Sequence, residues 1–354
     1  MIEPDRIIKD FALLGNKFDL ALKGPDQEGL DKIETYNLLS KAIEQSYYNN
    51  PWFIPRFVRH SFSAWAQALK KEKIESWISK YKWEKDSKKK PVNVAVIMAG
   101  NIPMVGLHDL LCLLASGNRA LVKLSNSDNL LIPAVLKVLC HINPEYERLF
   151  NFAEGPLMSF DAVIATGSNN SSRYFDYYFG KYPHIIRKNR NGIAVLDGNE
   201  NEEELKKLAD DIFIYFGLGC RNVSKLYIPQ EYDIEGIFQH LSHYSFMSDL
   251  HKYRNNYDYQ KSILLINRVP HSDNGFLLVK PDPSFISPIS VIHTETYQSI
   301  GSLARQLSLD KDHIQCVISC SRDLESAINP GQSQFPELWD YADGVDTMNF
   351  LANL

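Results

Sequence analysis

The sequence has few of the features that are typical of secreted or membrane-spanning proteins. Its five cysteines are odd in number and show no spacing typical of a disulfide framework. No apolar run approaches the roughly 20 residues of a membrane-spanning helix, and the acidic N-terminus lacks the basic flank of a signal peptide. We therefore predict a cytoplasmic protein with no membrane span.

The sequence also has only a small net charge and no clear pattern of metal ligands. The net charge is only -5 and is spread along the chain, so nothing favours nucleic acid as a partner. His240, His243 and His251 are not spaced on a helix as ligands with a nearby carboxylate. We predict no nucleic-acid partner and no metal site.

The length of 354 residues exceeds that of most single domains, so we expect two lobes. Aromatic residues recur at helical spacing between Trp52 and Leu69, which predicts an N-terminal helical layer over residues 1–90. The charged stretch 85–90 then reads as a surface connection that ends at Pro91.

Beyond this connection, short β-rich segments alternate with helical ones. Strands are predicted at 92–98, 120–123, 162–165, 193–196 and 223–228. This alternation predicts an α/β fold with parallel sheets and right-handed crossovers. The predicted domains are a cofactor-binding lobe at 91–215, a catalytic lobe at 216–330 and a tail at 331–354. No Gly-x-Gly-x-x-Gly fingerprint follows a strand, so a standard dinucleotide motif is absent.

Cys220 follows Gly217-Leu218-Gly219, where a predicted helix ends and a strand begins. A thiol in this position can face a cleft, and nearby N–H groups together with Arg221 would lower its pKa. The alternative is a small buried apolar residue. The flanking glycines favour a nucleophile.

Other polar segments follow predicted strands. Asn101, in Gly100-Asn101-Ile102-Pro103, would donate its side-chain amide to an oxyanion or would cap a helix. Thr166, Gly167 and Ser168 offer hydroxyls and N–H groups to a phosphate or a nicotinamide. The basic cluster at 187–190 would hold a cofactor or coenzyme A phosphate, or is solvated loop charge.

Taken in order, these segments resemble the aldehyde dehydrogenase superfamily, and within it the acyl-CoA reductase branch that contains the fatty-acid reductase of bacterial luminescence. The resemblance is strongest over residues 92–228. It implies an aldehyde dehydrogenase-like α/β fold with two Rossmann-like parallel-sheet lobes and an N-terminal helical layer. It also implies that Cys220 is the nucleophile and that Asn101 forms the oxyanion hole.

The resemblance further implies a nicotinamide cofactor. Gly117-Asn118 followed by Leu121-Val122-Lys123-Leu124-Ser125 is similar to the family's cofactor strand, where the lysine contacts the adenosine ribose. The implied cofactor-binding residues are Lys123, Ser125, Asn126, Thr166, Gly167 and Ser168. Asn126 stands where NAD-preferring members often carry Glu, so we expect NADPH, with NADH as the alternative.

Three departures from the family pattern bear on the reaction. Aldehyde-oxidising members carry a Glu that activates water, and residues 185–190 occupy that region here. The Glu that holds the nicotinamide ribose falls at Ser284, and Ser224-Lys225 stands where the family has Ser-Arg. Without a base to make hydroxide, an acyl-enzyme persists until hydride or a thiol reaches it. The missing base therefore favours reduction of a thioester over oxidation to a free acid.

We therefore predict NADPH-dependent reduction of an activated fatty acyl group, an acyl-CoA or acyl-protein thioester, to an aldehyde through an acyl-Cys220 intermediate. The alternatives are an acyl-phosphate reductase of the same fold and a non-catalytic acyl-transfer scaffold in a fatty-acid reductase complex. The expected partners are the acyl thioester, an acyl-activating ligase or acyl carrier protein, and further copies of the chain in a homo-oligomer. Trp52, Phe53 and Phe57 would line an acyl groove or pack a core.

Overall fold

The computed structural model describes residues 2–23, 30–81, 90–324 and 326–354. It divides into two compact units, one formed by Met1–Lys188 with Phe335–Leu354 and the other by Asn189–Gln334. Most of the predicted connection at 85–90 lies outside the described residues.

The first unit opens with four helices where helical spacing predicted them. They are α1 (Pro4–Lys23), α2 (Leu30–Asn49), α3 (Pro55–Ala68) and α4 (Lys71–Ile78). In α1, Ile7, Phe11, Leu14 and Phe18 recur every three or four residues and are all buried. Pro55 begins α3, where its missing N–H needs no partner.

The aromatic residues near the start of α3 pack a core. Phe53 and Phe57 are each 1% exposed and belong to the main apolar cluster of the first unit, and Trp52 packs against that cluster half-buried. The interpretation of these three residues as an acyl groove is therefore wrong for Phe53 and Phe57, because their rings contact other core side chains and leave no open surface.

A five-stranded parallel sheet follows. Its strands are β1 (Asn93–Ile97), β2 (Arg119–Lys123), β3 (Phe150–Phe152), β4 (Ala162–Thr166) and β5 (His184–Arg187), in the order β3-β2-β1-β4-β5. Helices α5 (Leu107–Ser116), α6 (Leu131–Ile142) and α7 (Asn169–Phe179) make the crossovers. Gly117 ends α5 with a φ of 73°, a left-handed conformation that favours glycine.

The second unit is built on a six-stranded sheet. Its strands are β6 (Asn191–Val195), β7 (Val223–Pro229), β8 (Ser272–Asp273), β9 (Leu278–Pro281), β10 (Val291–Tyr297) and β11 (Ile314–Ile318), in the order β11-β6-β7-β10-β9-β8. Only the pairing of β8 with β9 is antiparallel. Its helices are α8 (Glu202–Phe213), α9 (His251–Ile266) and α10 (Ile300–Leu309).

The unit boundary differs from the predicted division at residues 215 and 216. β6 pairs with β7 on one side and with β11 on the other, so residues 189–215 belong to the second unit. Strand pairing joins segments that are distant in the sequence, and this assignment could not be made from the order of elements.

The predicted tail at 331–354 also divides. Its last part, with the short helix α11 (Thr347–Ala352), packs into the first unit. The Tyr341 hydroxyl accepts from Trp77 Nε1 at 2.7 Å and lies 2.6 Å from the Tyr81 hydroxyl, which donates to the Asp346 carboxylate. Residues 335–354 are therefore an integral layer of this unit.

A buried ion pair ties this layer to the sheet. Arg187, at the end of β5, pairs with Asp109 in α5, and the two side chains are 5% and 7% exposed. The guanidinium also donates to Ala342 O at 2.7 Å and to Thr347 Oγ1 at 2.9 Å. Arg187 is therefore not free to hold a phosphate. Arg190 is the other arginine of the basic cluster; it lies in the second unit and donates to Lys311 O.

Among the helices of the described residues, none is both long enough and apolar enough to cross a membrane.

Replacing Arg187 with Met should sharply lower the urea concentration at which the first unit unfolds. The change leaves the Asp109 carboxylate buried without its cation, which typically costs about 3–5 kcal/mol. Arg254→Met, which breaks the exposed pair with Asp258, is the matched control and should hardly move the midpoint. Equal midpoints for the two variants would contradict the importance of the buried pair.

Candidate active site

The predicted cofactor residues and Asn101 meet at one edge of the first sheet. β1 lies between β2 and β4 and runs parallel to both, so the three strands end at the same edge. The chain leaves β1 toward β2 and later returns to its other side as β4, which makes the β1/β4 boundary a topological switch point. Crevices at such points are where open α/β sheets bind ligands.

Asn101 lies in the loop that follows β1 and is exposed. Helix α5 begins only at Leu107, and its N-cap residue is Gly106. Asn101 is therefore not the N-cap residue of this helix, which was the alternative interpretation of its side chain. Asn101 thus lies exposed at the carboxyl edge of a parallel sheet.

The loop after β1 lies directly against the loop after β2. A Cβ atom at Gly100 would come within 2.5 Å of Ser125 Oγ and 2.9 Å of Ser127 Cβ. Only glycine allows this approach. The predicted cofactor residue Ser125 is thus held beside the segment that carries Asn101.

Asp128 also connects these two loops, and sequence reasoning missed it. Its buried carboxylate accepts from Met104 N at 2.8 Å, where the backbone adopts a φ of 58°. Burial raises the pKa of Asp128 to about 6, while the N–H groups of Met104 and Leu131 oppose that rise. In the sequence, an Asp among Ser and Asn residues looks like any solvated turn.

The predicted cofactor residues at the end of β2 and in the loop after it lie at the same edge. Lys123 Nζ donates to Gly155 O at 3.1 Å, and Ser125 Oγ accepts from Ser127 N at 3.2 Å. The exposed Asn126 accepts on its carbonyl from Asn49 Nδ2 at 3.2 Å. The last residue of α2 therefore contacts the loop that would face the adenosine half of a dinucleotide.

Thr166, Gly167 and Ser168 lead from β4 into α7. Ser168 is the N-cap residue and its side chain accepts from Ser171 N at 3.2 Å. A Cβ at Gly167 would lie 2.8 Å from atoms of both Ser171 and Phe175, so glycine lets the turn lie flat on the helix. The positive end of α7 thus lies at the switch-point edge, as an anion or a phosphate would require.

In the second unit, Cys220 occupies the corner of a tight turn over residues 219–222. Asn222 N donates to Gly219 O at 3.0 Å and closes the turn, with Cys220 and Arg221 between them. Cys220 is exposed, whereas Cys112 is buried and Cys140, Cys316 and Cys320 are half-buried. Burial raises the pKa of Cys320 to about 12, so Cys220 is the cysteine best placed to react.

The segment before this turn is strained. After α8 ends at Phe213, Tyr215 and Phe216 adopt φ values of 56° and 59°, and Gly217 follows at 74°. Left-handed backbone at residues other than glycine costs on the order of 1–3 kcal/mol each and survives where surrounding contacts hold it. Such strain often accompanies functional loops.

Contacts with residues 331–333 hold the other side of the turn. Arg221 Nε donates to Ser333 O at 2.6 Å. The Asp211 carboxylate in turn accepts from Gly331 N at 2.6 Å and Ser333 N at 2.9 Å. Burial raises the pKa of Asp211 to about 6, opposed by these bonds to Ser333 and Gly331. Arg221, expected as a charge beside the thiol, thus has an anchoring role that its sequence position did not reveal.

Three carbonyls in a row anchor the loop that carries Ser284. Lys225 Nζ donates to Pro283 O at 2.7 Å, Ser224 Oγ donates to Phe285 O at 2.6 Å, and His293 Nδ1 lies 2.9 Å from Ser284 O. Lys225 is only 1% exposed on its side chain and also pairs with Glu295. The Ser-Lys pair of the sequence therefore supports this loop from within the second unit.

Comparison with solved structures matches this architecture to aldehyde dehydrogenases. An indole-3-acetaldehyde dehydrogenase complexed with NAD+ is 13% identical with a TM-score of 0.61, over 92% of this chain and 74% of that one. An NADP-dependent enzyme of E. coli is 14% identical with a TM-score of 0.61, over 90% and 74%. An aldehyde dehydrogenase of Physcomitrella patens in complex with succinate is 12% identical with a TM-score of 0.60, over 90% and 74%.

No curated protein sequence matches this chain significantly. Residues 70–253, just over half of the chain, match the family described as acyl-CoA reductase (LuxC). The matched region contains Asn101, β2 and Cys220. This chain belongs to the acyl-CoA reductase (LuxC) family and is an aldehyde-forming oxidoreductase with the aldehyde dehydrogenase fold.

Proposed function

We propose that this chain reduces an acyl group carried as a thioester to the corresponding aldehyde, with Cys220 as the nucleophile. The observation that carries the proposal is the exposed position of Cys220 at the corner of a hydrogen-bonded turn. A thiol that projects from such a corner can be reached by a carbonyl carbon, and a thiolate is the attacking species.

In the first step, the Cys220 thiolate attacks the thioester carbonyl carbon and the carbonyl oxygen becomes an oxyanion. The Cys220 N–H would donate to that oxygen, and the family resemblance implies that the Asn101 amide would do so as well. The bond to the carrier sulfur then breaks, the carrier leaves as a thiolate that takes a proton from water, and the acyl group stays on Cys220 Sγ.

The edge of the first sheet fits a nicotinamide dinucleotide. The switch point, the positive end of α7 and the close loops at Gly100 and Gly167 together form a site of the kind that binds phosphates and nucleotides. Lys123, Ser125 and Asn126 would hold its adenosine half, and Thr166, Gly167 and Ser168 its nicotinamide half. When bound, the reduced nicotinamide supplies a hydride.

The same residues favour NADPH. Asn126 is neutral and exposed at the end of β2, so it places no carboxylate against a 2′-phosphate.

Addition of that hydride to the carbonyl carbon of the acyl group would form the C–H bond of the product. The bond between this carbon and Cys220 Sγ would then break, so that Cys220 leaves as a thiolate and the product departs as an aldehyde. Residues 185–190 contain no carboxylate to activate water, and Arg187 in this stretch forms an ion pair with Asp109. The acyl group on Cys220 would therefore survive until it is reduced.

Cys220→Ser should abolish the consumption of NADPH that depends on an acyl-CoA, because the hydroxyl is a far weaker nucleophile than a thiolate. Absorbance of the reduced nicotinamide with short to long acyl-CoA thioesters measures the loss, and mass spectrometry measures the acyl-enzyme. Cys140→Ser, at a half-buried cysteine of α6, is the control and should behave as wild type.

The leaving group separates the alternatives. Release of a free thiol supports the thioester reductase, whereas turnover of an acyl phosphate with release of phosphate would identify the related reductase. Acylation of Cys220 by a carrier protein or ligase without any NADPH oxidation would replace the proposal with an acyl-transfer role.

Asn101→Ala should lower kcat about 100-fold or more, the usual cost of removing one oxyanion donor. The thiol of Cys220 should still react with iodoacetamide at the wild-type rate, since the nucleophile is untouched. Asn151→Ala, at an exposed residue of β3, is the control. A kcat within about threefold of wild type would show that Asn101 is not an oxyanion donor.

Asn126→Glu should weaken NADPH selectively, because the new carboxylate would repel a 2′-phosphate. We expect KM for NADPH to rise about tenfold, equivalent to about 1.4 kcal/mol, while KM for NADH changes less than threefold. Steady-state kinetics with both cofactors measures this. Equal changes for the two cofactors would mean that Asn126 does not face the 2′ position.

A further inference from the structure

The buried side chain of Asn222 forms hydrogen bonds to both ends of the segment that precedes Cys220. Asn222 is 2% exposed, and its Oδ1 accepts from Gly219 N at 2.8 Å. Its Nδ2 donates to Asp211 O at 3.0 Å and to Ile214 O at 2.8 Å. The amide therefore uses its acceptor and both donors inside the protein.

These hydrogen bonds join the end of α8 to the turn that carries Cys220. Asp211 O and Ile214 O belong to the end of α8, where terminal carbonyls have no partner within the helix. Gly219 begins the turn that carries Cys220. Between them lie the left-handed residues Tyr215 and Phe216. The Asn222 side chain thus bridges the strained segment from one end to the other.

The two ends of the turn are also joined twice. Gly219 N donates to the Asn222 side chain, and Asn222 N donates back to Gly219 O at 3.0 Å. Asn222 O further accepts from Gly192 N at 3.0 Å, which ties the residue to the start of β6. The corner residue Cys220 is therefore held relative to both the helix end and the sheet of the second unit.

We propose that Asn222 is a positioning residue that holds the Cys220 thiol in line for attack on the acyl carbonyl. This inference rests on the proposed function of Cys220 as the nucleophile. No other side chain could replace Asn222 here without loss, because the site requires one acceptor and two donors on a short, neutral group. Aspartate would offer only acceptors, and leucine would offer neither.

Alignment of a nucleophile affects the chemical step more than binding. A displacement of about 1 Å can lower the rate roughly 100-fold. Without the Asn222 amide, the left-handed segment loses the side chain that directly joins its two ends and can relax toward ordinary backbone angles. The thiol would remain exposed but would no longer point consistently at a bound carbonyl.

The test compares Asn222→Ala with Asn256→Ala, the same change at a half-buried residue of α9 whose side chain donates to Lys252 O at 2.8 Å. In the full-length protein we expect kcat, and the single-turnover acylation of Cys220 by an acyl-CoA, to fall about 100-fold in Asn222→Ala. KM should change less than threefold, and alkylation of Cys220 by iodoacetamide, followed by peptide mass spectrometry, should also stay within threefold. Asn256→Ala should match wild type.

Hydrogen exchange tests the holding role without any reaction. Amides in peptides that cover residues 214–222 should exchange at least tenfold faster in Asn222→Ala, while peptides from β1 and β2 keep their wild-type rates. If Asn222→Ala does not fold, Asn222→Ser takes its place, since its shorter neutral side chain cannot span to α8 and the same results are expected.

The outcomes are distinct. Faster exchange with a loss of acylation supports the inference. Faster exchange in the variant, when even the wild-type protein is not acylated, would overturn the proposed function and leave Asn222 as the residue that holds the turn. Unchanged exchange with acylation within twofold of wild type would overturn the inference itself.

Discussion

The pairing of β1 with β2 on one side and β4 on the other is the constraint on which the first unit depends. All three strands are parallel and bury apolar side chains, among them Val96, Val122 and Ile164, so their register cannot slip without moving such side chains out of the core. Their ends consequently fall at one edge, and three loops that are distant in the sequence become neighbours. The close approach of Gly100 to Ser125 and the bond between Asp128 and Met104 then hold those loops together.

In the second unit, hydrogen bonds hold the backbone around one exposed cysteine, Cys220. Ordinary helix termination would leave carbonyls without partners and a flexible loop before β7. Here the side chain of Asn222 and the carboxylate of Asp211 supply those bonds from buried positions. Left-handed backbone at Tyr215 and Phe216 can persist because polar anchors surround it.

Buried charge serves structure elsewhere in the molecule. Arg187 and Asp109 join β5, α5 and the C-terminal layer through the shared contact with Thr347. An arginine with five donors can satisfy several such partners at once, which a lysine could not. Because of these contacts, Arg187 serves the structure of the first unit and is not available to a phosphate.

The sequence by itself predicted the strands β1, β2, β4, β6 and β7, the crossover helices and an accessible position for Cys220, but not the strands β3 and β5. Those features follow from apolar periodicity and from glycine at turns, which act over short stretches of chain. It also placed Asn101 and the residues around Lys123 and Thr166 after strands, and parallel pairing then brings such residues to one edge. The roles assigned to these residues remain proposals.

Only the tertiary structure decided which unit receives β6, where the C-terminal residues pack and which polar side chains are buried. Asp128, Asn222 and Ser333 look in the sequence like ordinary solvated turn residues, and Asp211 looks like a solvated residue of a helix. Their bonds join segments separated by up to 122 positions, and no local pattern reports a partner so far along the chain. Burial and long-range pairing are properties of the folded chain, which is why they appear only once it has folded.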